Sequence, residues 1–305
     1  MMPDLNRRRL LWALLAAGAC ATLPRPLWAT GMQSRTIPSS GEAIPAIGMG
    51  TWLTFDVGTD PQGLSTRTEV LRTFFMAGGG LIDSSPMYGS SEQVVGHCLE
   101  RLGYPGGLFA ATKVWTPLEF HGRMQIEQSH ELWGLERFDL IQVHNLVAWE
   151  KQLDTLRAMK AAGRLRYIGV TTSHGRRHDE LERILRRESL DFVQLTYNLL
   201  DREAEQRLLP LAAERGVAVI VNRPFRRGAL FERFARYPLP PWAAEIEVRN
   251  WAQFFLKFIL SHPAVTCAIP ATRRVDHMTE NMGALYGPLP GPRMREQMID
   301  YVASL

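Results

Sequence analysis

Short apolar runs alternate along this chain with longer stretches in which apolar residues recur at helical spacing. The runs return at intervals of roughly 25 to 35 residues, a pattern typical of parallel strands separated by helices. They predict strands at Ile47–Thr51, Leu81–Ile82, Leu108–Thr112, Leu140–Val143, Leu165–Val170, Phe192–Thr196, Val217–Val221 and Val265–Ile269. The amphipathic stretches predict helices at Thr66–Ala77, Ser91–Leu102, Trp149–Ala162, Asp179–Arg187, Ala204–Arg215 and Trp251–Ser261.

Eight strands with helices between them favour a closed barrel over an open sheet. The predicted fold is therefore α/β, a (β/α)8 TIM barrel in a single domain. The alternative, a doubly wound dinucleotide-binding sheet, requires G-x-G-x-x-G after its first strand, and the residues from Gly48 to Trp52 do not continue in that way. The chain has 305 residues and a barrel takes about 250, which leaves room for a presequence before a domain at 30–305. One more helix is expected from Arg293.

Residues 1–29 have the pattern of a signal peptide. Three arginines precede an apolar run from Leu10 to about Leu23, and a small residue stands before Thr30. The run is too short for a membrane-spanning helix, which needs about 20 apolar residues. The segment Asn6-Arg7-Arg8-Arg9-Leu10-Leu11 resembles a twin-arginine signal, although Asn6 stands where Ser or Thr is commoner.

An ordinary secretory signal, or a lipoprotein signal ending at Cys20, stays open as an alternative. The twin-arginine interpretation predicts the export machinery of that route as a partner and a periplasmic or exported location. That route carries folded proteins, so a cofactor bound in the cytoplasm can travel with its enzyme.

The charge and composition exclude several classes of function. The net charge is +4, but four arginines and one aspartate lie in residues 1–29, so the body is nearly neutral and no nucleic-acid partner is expected. Outside the presequence only two cysteines occur, Cys98 and Cys267, and they are far apart in the chain. The histidines show no paired spacing with carboxylates, so no metal is predicted and a metal-dependent hydrolase is disfavoured.

Four chemically useful side chains occur at or just beyond the ends of three consecutive predicted strands. Asp83 and Tyr88 follow the second strand, Lys113 the third and His144 the fourth. A barrel brings these strand ends to one mouth. A lysine ammonium favours the phenolate of a neighbouring tyrosine, a carboxylate holds that ammonium, and a histidine can orient a carbonyl oxygen. This set suits protonation of an oxyanion as hydride reaches its carbon.

The order and placement of these four residues resemble the catalytic tetrad of the aldo-keto reductases. The similarity runs from about Ile47 to Leu285. Further motifs stand in the family's positions: Gly169-Val170-Thr171-Thr172-Ser173, Gln194-Leu195-Thr196-Tyr197-Asn198 and Ile269-Pro270-Ala271-Thr272-Arg273-Arg274, followed by Glu280-Asn281. The resemblance implies an oxidoreductase that reduces an aldehyde or ketone. Tyr88 is then the general acid, Asp83 and Lys113 tune it, and His144 orients the carbonyl.

The resemblance also implies a nicotinamide cofactor. Thr171, Thr172 and Gln194 would hold its carboxamide, and Thr272, Arg273, Glu280 and Asn281 its adenosine end. A guanidinium grips a 2′-phosphate in forked geometry, so Arg273 favours NADPH over NADH. Arg274 either shares this task or faces solvent. Trp52 and Trp115 are expected to line the substrate entrance, Trp52 beside the cofactor as well, while Trp149 lines the same entrance or packs under a loop.

One segment departs from the family. Relatives carry Tyr-Ser-Pro-Leu-Gly after the seventh strand, and the aromatic ring stacks on the nicotinamide. This chain has Asn222-Arg223-Pro224-Phe225-Arg226-Arg227-Gly228, in which Asn222 has no ring. We expect the three arginines, Arg223, Arg226 and Arg227, to grip the cofactor's pyrophosphate, although a solvated basic loop is the alternative. Asn222, Pro224 and Phe225 are expected to contact the cofactor beside them. Thr172 and His277 also stand where relatives commonly carry Asn and Arg.

A second class of function stays open: a regulatory or partner-binding subunit that binds the cofactor on the same barrel. The presence of Tyr88 and Lys113 together argues against it, since pure binding needs neither. Only about twenty residues, Tyr286–Leu305, follow the last barrel helix. They leave little chain for a loop that encloses substrate, so an open pocket and bulky substrates are expected. The sequence does not indicate the oligomeric state.

Overall fold

A computed structural model of the protein describes residues 31–305. The predicted signal peptide, residues 1–29, lies outside the described residues. The described chain begins with a two-stranded antiparallel hairpin, β1 (Ser34–Thr36) and β2 (Ala43–Pro45). No helix in residues 31–305 is long and apolar enough to cross a membrane.

Eight parallel strands follow in chain order and confirm the predicted barrel. They are β3 (Met49–Gly50), β4 (Leu81–Asp83), β5 (Phe109–Val114), β6 (Phe138–Val143), β7 (Leu165–Thr171), β8 (Phe192–Thr196), β9 (Ala218–Asn222) and β10 (Cys267–Ala268). A parallel bridge between Ile47 and Ala268 joins the first barrel strand to the last and closes the barrel. β5 extends two residues past its predicted end, so Lys113 lies inside the strand.

Helices connect the strands on the outside of the barrel. They are α1 (Pro61–Met76), α2 (Ser91–Leu102), α3 (Glu119–Trp133), α4 (Trp149–Ala161), α5 (His178–Arg187), α6 (Leu208–Glu214), α7 (Ala229–Phe234), α8 (Trp251–Leu260), α9 (Val275–Gly283) and α10 (Pro292–Ala303). α1 begins five residues before its predicted start because Asp60 caps it, accepting from Gly63 N at 2.7 Å, and Pro61 stands at the first helical position.

The helix α3 had no counterpart among the helices predicted above. Its buried residues are Gly122, Ile126, Ser129 and Trp133, two of which are small or polar. An apolar periodicity cannot reveal a helix whose buried stripe is built in this way. The terminal helix α10 begins one residue before its predicted start.

The core has two layers. The larger cluster lies between the strands and the surrounding helices, and a smaller one combines Ile37 and Ile44 of the hairpin region with inward-facing strand residues such as Leu81, Leu140 and Phe192. The hairpin therefore covers the amino-terminal end of the barrel. The carboxyl end is left for polar groups.

Candidate functional site

The barrel interior changes from apolar to polar along each strand. Residues two apart on a strand point to the same side of the sheet. Leu81, Ala111, Leu140, Phe192 and Ile220 belong to the apolar interior cluster. Two residues further along the same strands stand Asp83, Lys113, Gln142, Gln194 and Asn222. The carboxyl end of the barrel thus presents converging polar side chains where barrel enzymes place their active sites.

Lys113 and Asp83 form a buried ion pair. Lys113 Nζ lies 2.5 Å from Asp83 Oδ2, and the two side chains are 0% and 3% exposed. The ammonium also donates to the Ser84 carbonyl oxygen at 2.8 Å. Burial alone disfavours the charged lysine, but the charge of Asp83 and the hydrogen bond to its carboxylate outweigh burial and raise the pKa of Lys113. Lys113 is therefore a fixed cation at neutral pH.

Tyr88 lies on the loop after β4, beside this cation. Lys113 Nζ is 4.9 Å from the centroid of the Tyr88 ring, and the rings of Tyr88 and His144 meet edge to face with centroids 5.7 Å apart. Burial raises the pKa of Tyr88 above its ordinary value, and the Lys113 charge lowers it only in part. The ammonium acts in the direction expected from the sequence, but burial outweighs it. The neutral phenol is the stable form at pH 7.

His144 follows β6 and is buried. Its Nδ1 shares a hydrogen bond with Ser85 Oγ at 3.0 Å. Burial first, and then the charge of Lys113, lowers the pKa of His144 from 6.5 to about 2. The imidazole is thus neutral across the physiological range. A neutral imidazole can hydrogen-bond a carbonyl oxygen without adding a second cation beside Lys113.

Two buried glutamines hold the other oxygen of Asp83. Gln194 Nε2 donates to Asp83 Oδ1 at 2.9 Å and Gln142 Nε2 donates to it at 3.1 Å. Gln142 is a site residue that the sequence reasoning missed. Its position on β6, two residues after the inward-facing Leu140, was the signal that could have found it, because residues two apart on a strand share one face.

The residues expected at the nicotinamide end are brought together. Gln194, Thr172 and Asn222 lie on neighbouring strands, and Asn222 Nδ2 donates to the Thr172 carbonyl oxygen at 2.8 Å. Thr171 Oγ1 accepts from Asn145 N at 3.3 Å, which ties it to the loop after His144. Thr172 Oγ1 is buried without a hydrogen-bond partner. This orphaned hydroxyl fits the carboxamide-binding role that the sequence suggests.

The basic segment after β9 is folded tightly over the mouth. Arg223, Arg226 and Arg227 all have positive φ, from 48° to 62°. Arg227 places its guanidinium 4.3 Å from the Trp52 ring centroid, and the Trp52 ring is 6.3 Å from that of Tyr88. Arg227 and Trp52 therefore meet directly beside Tyr88.

Other residues of this segment have different environments. Arg223 Nη1 lies 2.6 Å from His174 Nε2, and Arg223 Nε is buried without a partner. Arg226 is held by both oxygens of Asp201 at 2.7 and 2.8 Å. Pro224 is buried, and the Phe225 ring packs into the core against Phe231 with centroids 4.8 Å apart. Phe225 thus faces the core with its ring, while Arg223 retains a free donor.

The residues expected at the adenosine end cluster after β10. Thr272 and Asn281 are buried, while Arg273 and Glu280 are exposed. Arg274 is held by the carboxylate of Asp276, with its Nε 3.0 Å from Asp276 Oδ1. Burial and then the charge of Arg273 lower the pKa of Arg67 on α1, so these two cations lie near one another. Arg274 is engaged with a carboxylate, whereas Arg273 faces a second cation.

The tryptophans expected at the substrate entrance separate into two groups. Trp115 is exposed on the loop after β5, and its backbone is fixed by Gln125, which accepts from Trp115 N at 2.9 Å and donates to Trp115 O at 3.0 Å. Trp52 stands next to Tyr88, as described above. Trp149 packs against the core. Trp52 and Trp115 thus occupy the mouth, and Trp149 does not.

Comparison with known proteins places this arrangement in a family. The sequence model of the Aldo/keto reductase family matches residues 46–296. The chain is 29% identical over 219 residues to "Aldo-keto reductase YhdN" of Bacillus subtilis, a match that covers 65% of this chain and 64% of that protein. It is 26% identical over 253 residues to an Escherichia coli protein named "NADH-specific methylglyoxal reductase", covering 71% of this chain and 74% of that protein.

A solved structure agrees with the fold. The aldo-keto reductase from Klebsiella pneumoniae in complex with NADPH superposes with a TM-score of 0.74 at 23% sequence identity, covering 88% of this chain and 95% of that one. The family match extends over most of the barrel and includes all four residues of the Asp83–Tyr88–Lys113–His144 cluster. The chain therefore belongs to the aldo/keto reductase family.

Proposed function

We propose that this protein reduces an aldehyde or ketone to the alcohol with NADPH, and that Tyr88 donates the proton. The observation that carries the proposal is the convergence of Tyr88 with the buried Lys113–Asp83 pair and neutral His144. A purely binding module has no need to keep a lysine ion pair buried beside a protonated tyrosine, since such a pair is costly to desolvate.

Each residue of this cluster has its own role in the proposed reaction. His144 donates a hydrogen bond that orients the carbonyl oxygen toward Tyr88. When bound, a nicotinamide cofactor would supply the hydride that the carbonyl carbon accepts. As the C–O π electrons move to oxygen, that oxygen takes the proton of the Tyr88 hydroxyl. The ammonium of Lys113, held in place by Asp83, favours the resulting phenolate.

The cofactor would be held along the strands after β6. Thr172 and Gln194 would hydrogen-bond the carboxamide. Arg223 and Arg227 would form ion pairs with the pyrophosphate. The orphaned Thr172 Oγ1 and Arg223 Nε support this placement, because buried polar atoms are rarely left unpaired. Arg273 is exposed after β10, and a guanidinium at this position favours the 2′-phosphate of NADPH over the hydroxyl of NADH.

Fluorescence titration and turnover test the proposal together. The purified protein is titrated with NADPH and NADH by tryptophan quenching and is then assayed on a panel of aldehydes and ketones. We expect micromolar NADPH binding, weaker NADH binding, and a fall in kcat of about 10²- to 10⁴-fold in Tyr88→Phe with cofactor affinity retained. Arg273→Ala should weaken NADPH binding and leave NADH binding unchanged. NADPH binding without turnover of any carbonyl would favour a cofactor-binding regulatory subunit instead.

We further propose that residues 1–29 direct export by the twin-arginine route and that residues 30–305 form the mature barrel domain in the periplasm. The paired Arg7 and Arg8 before an apolar run support this, as described from the sequence. In a bacterial host with that route, Arg7→Lys/Arg8→Lys should leave the full-length protein in the cytoplasm. Equal export of both forms would favour an ordinary secretory signal.

A further inference from the structure

The two sides of the barrel mouth differ in chemistry. Nine large apolar side chains are exposed in residues 31–305. Six of them stand in the loops or first helical turns that directly follow the three neighbouring strands β3, β4 and β5: Leu53, Met87, Trp115, Leu118, Phe120 and Met124. The loops after β9 and β10 instead carry the arginines described above. A large exposed apolar patch marks a binding site, whereas single exposed apolar residues are common on protein surfaces.

The apolar side contains a groove of about 1000 Å³. Trp115, Phe120 and Met124 line it, and so does Val147, which is three residues beyond His144. Phe120 is 70% exposed and Met124 55% exposed, although both belong to the first turns of α3. Val147 N donates to the His144 carbonyl oxygen at 3.2 Å, so the groove begins at the loop that follows His144 and continues along the outer surface of α3.

The wall of this groove is fixed by side-chain hydrogen bonds to its backbone. Gln125 pairs with both backbone groups of Trp115, as described above. Gln152 on α4 is fully buried and donates to the carbonyl oxygens of Thr116 at 3.0 Å and Leu118 at 3.4 Å. Gly122 permits this approach, since a Cβ there would lie 2.4 Å from Gln152 Oε1. The loop cannot fold its apolar side chains inward without breaking these bonds, so the groove is preorganised for a ligand.

We propose that this groove holds the apolar body of the substrate, and that the preferred substrates are carbonyl compounds with an extended apolar chain, such as medium-chain aliphatic aldehydes. The inference rests on the proposed reductase function and names its substrate class. Phe120 and Met124 are then the residues that determine specificity, outside the catalytic cluster.

The charges around the groove favour a small neutral ligand over a membrane surface. Arg123 is paired with Glu119 at 2.9 Å, and Glu127 is paired with Arg164. Glu131 also lines the groove. A surface that docks on anionic lipid carries an excess of Lys and Arg, which this surface lacks.

A chain-length series tests the inference. The ratio of kcat/KM for decanal to that for butanal is measured with NADPH for the wild type and for Phe120→Ser/Met124→Ser. Full burial of one methylene group should raise kcat/KM by about fourfold. A groove that covers the methylene on one side gives half of this effect on a logarithmic scale, which is a rise of about twofold. We expect a wild-type ratio of roughly 30 or more and at least a tenfold smaller ratio in the double variant. Met76→Ser, which removes an exposed apolar side chain at the far end of α1, is the matched control and should leave the ratio unchanged.

A binding measurement tests the substrate groove separately from the proposed reductase function. Decan-1-ol should quench the tryptophan fluorescence of the wild-type protein, and the double variant should need at least tenfold more alcohol. If butanal is turned over as efficiently as decanal, the groove does not bind the substrate, and the proposal is refuted while the reductase function is retained. No turnover of any carbonyl would remove the reductase function and this inference with it. A double variant that keeps the decanal ratio but loses binding to phospholipid vesicles, or changes oligomeric state, would assign the groove to a membrane or a second copy and overturn the proposal.

Discussion

Replacing Lys113 by Met should destabilise the barrel strongly, because it leaves Asp83 as an unpaired buried charge. The side chains of the pair are 0% and 3% exposed and meet at 2.5 Å. Removing one partner of a buried pair costs about 3 to 5 kcal/mol. Asp83 Oδ1 keeps the hydrogen bonds from Gln142 and Gln194, so the lower end, about 3 kcal/mol, applies here. For a domain of this size the melting temperature should fall by roughly 6 to 12 °C.

A double-mutant cycle isolates the charge. In Lys113→Met/Asp83→Asn no buried charge is left, so the double variant should be about 2 to 3 kcal/mol more stable than the sum of the two single losses. Urea unfolding followed by circular dichroism measures these free energies of unfolding.

A matched control distinguishes burial from pairing. Lys160 and Asp191 meet at the same 2.5 Å, but the Lys160 side chain is 39% exposed. Lys160→Met should therefore cost only about 1 kcal/mol or less, since water replaces the lost ammonium. If Lys113→Met costs no more than Lys160→Met, or if the losses in the cycle are additive, the argument from burial is refuted.

Three further outcomes follow from single contacts. Gly96→Ala should destabilise the protein by at least about 3 kcal/mol, since its Cβ would lie 1.8 Å from a backbone oxygen of α3, whereas Gly106→Ala, with open space around it, should be neutral in the same urea titration. The free energy of unfolding of the wild type should fall by roughly 2 to 3 kcal/mol between pH 8 and pH 4.5 because of His144. The pKa of His144 is about 2 in the folded protein, so below pH 6.5 only the unfolded state binds a proton at this residue. His144→Asn should lack this loss, and an equal pH slope in both proteins would contradict it. Arg227→Ala should change the fluorescence emission of Trp52, 4.3 Å away, and weaken NADPH binding several-fold, whereas unchanged emission would argue that the contact is absent in solution.

The barrel and the placement of the tetrad could be predicted from sequence because both depend on short-range patterns. Strand runs at regular intervals fix the order of the sheet, and polar residues at strand ends must meet at one mouth. The direction of the Tyr88 pKa could not be obtained in this way, since it is the balance of burial against a neighbouring charge. Gln142 was missed for a related reason: an uncharged residue inside an apolar strand carries no chemical signal of its own.

Details of the mouth depend on contacts between residues distant in sequence. The approach of Arg227 to Trp52 joins the loop after β9 to the loop after β3, and no local pattern indicates it. The same holds for Phe225, expected at the cofactor, whose ring the structure packs against Phe231. Neighbouring residues of one basic segment thus divide between the core and the site, and a sequence motif alone does not separate them.

One of the three helices absent from the predicted set, α3, is also the helix that carries the proposed substrate groove, and the two facts have one cause. In α3 the apolar residues Phe120 and Met124 face solvent, while Gly122 and Ser129 lie on the buried side. This reversal costs stability, because burying Phe and Met would each contribute about 1.5 to 3 kcal/mol. Violations of patterning concentrate at functional sites, where a ligand supplies the missing contact. The failure of the helical pattern at α3 is thus itself an argument that its outer face is completed by an apolar ligand.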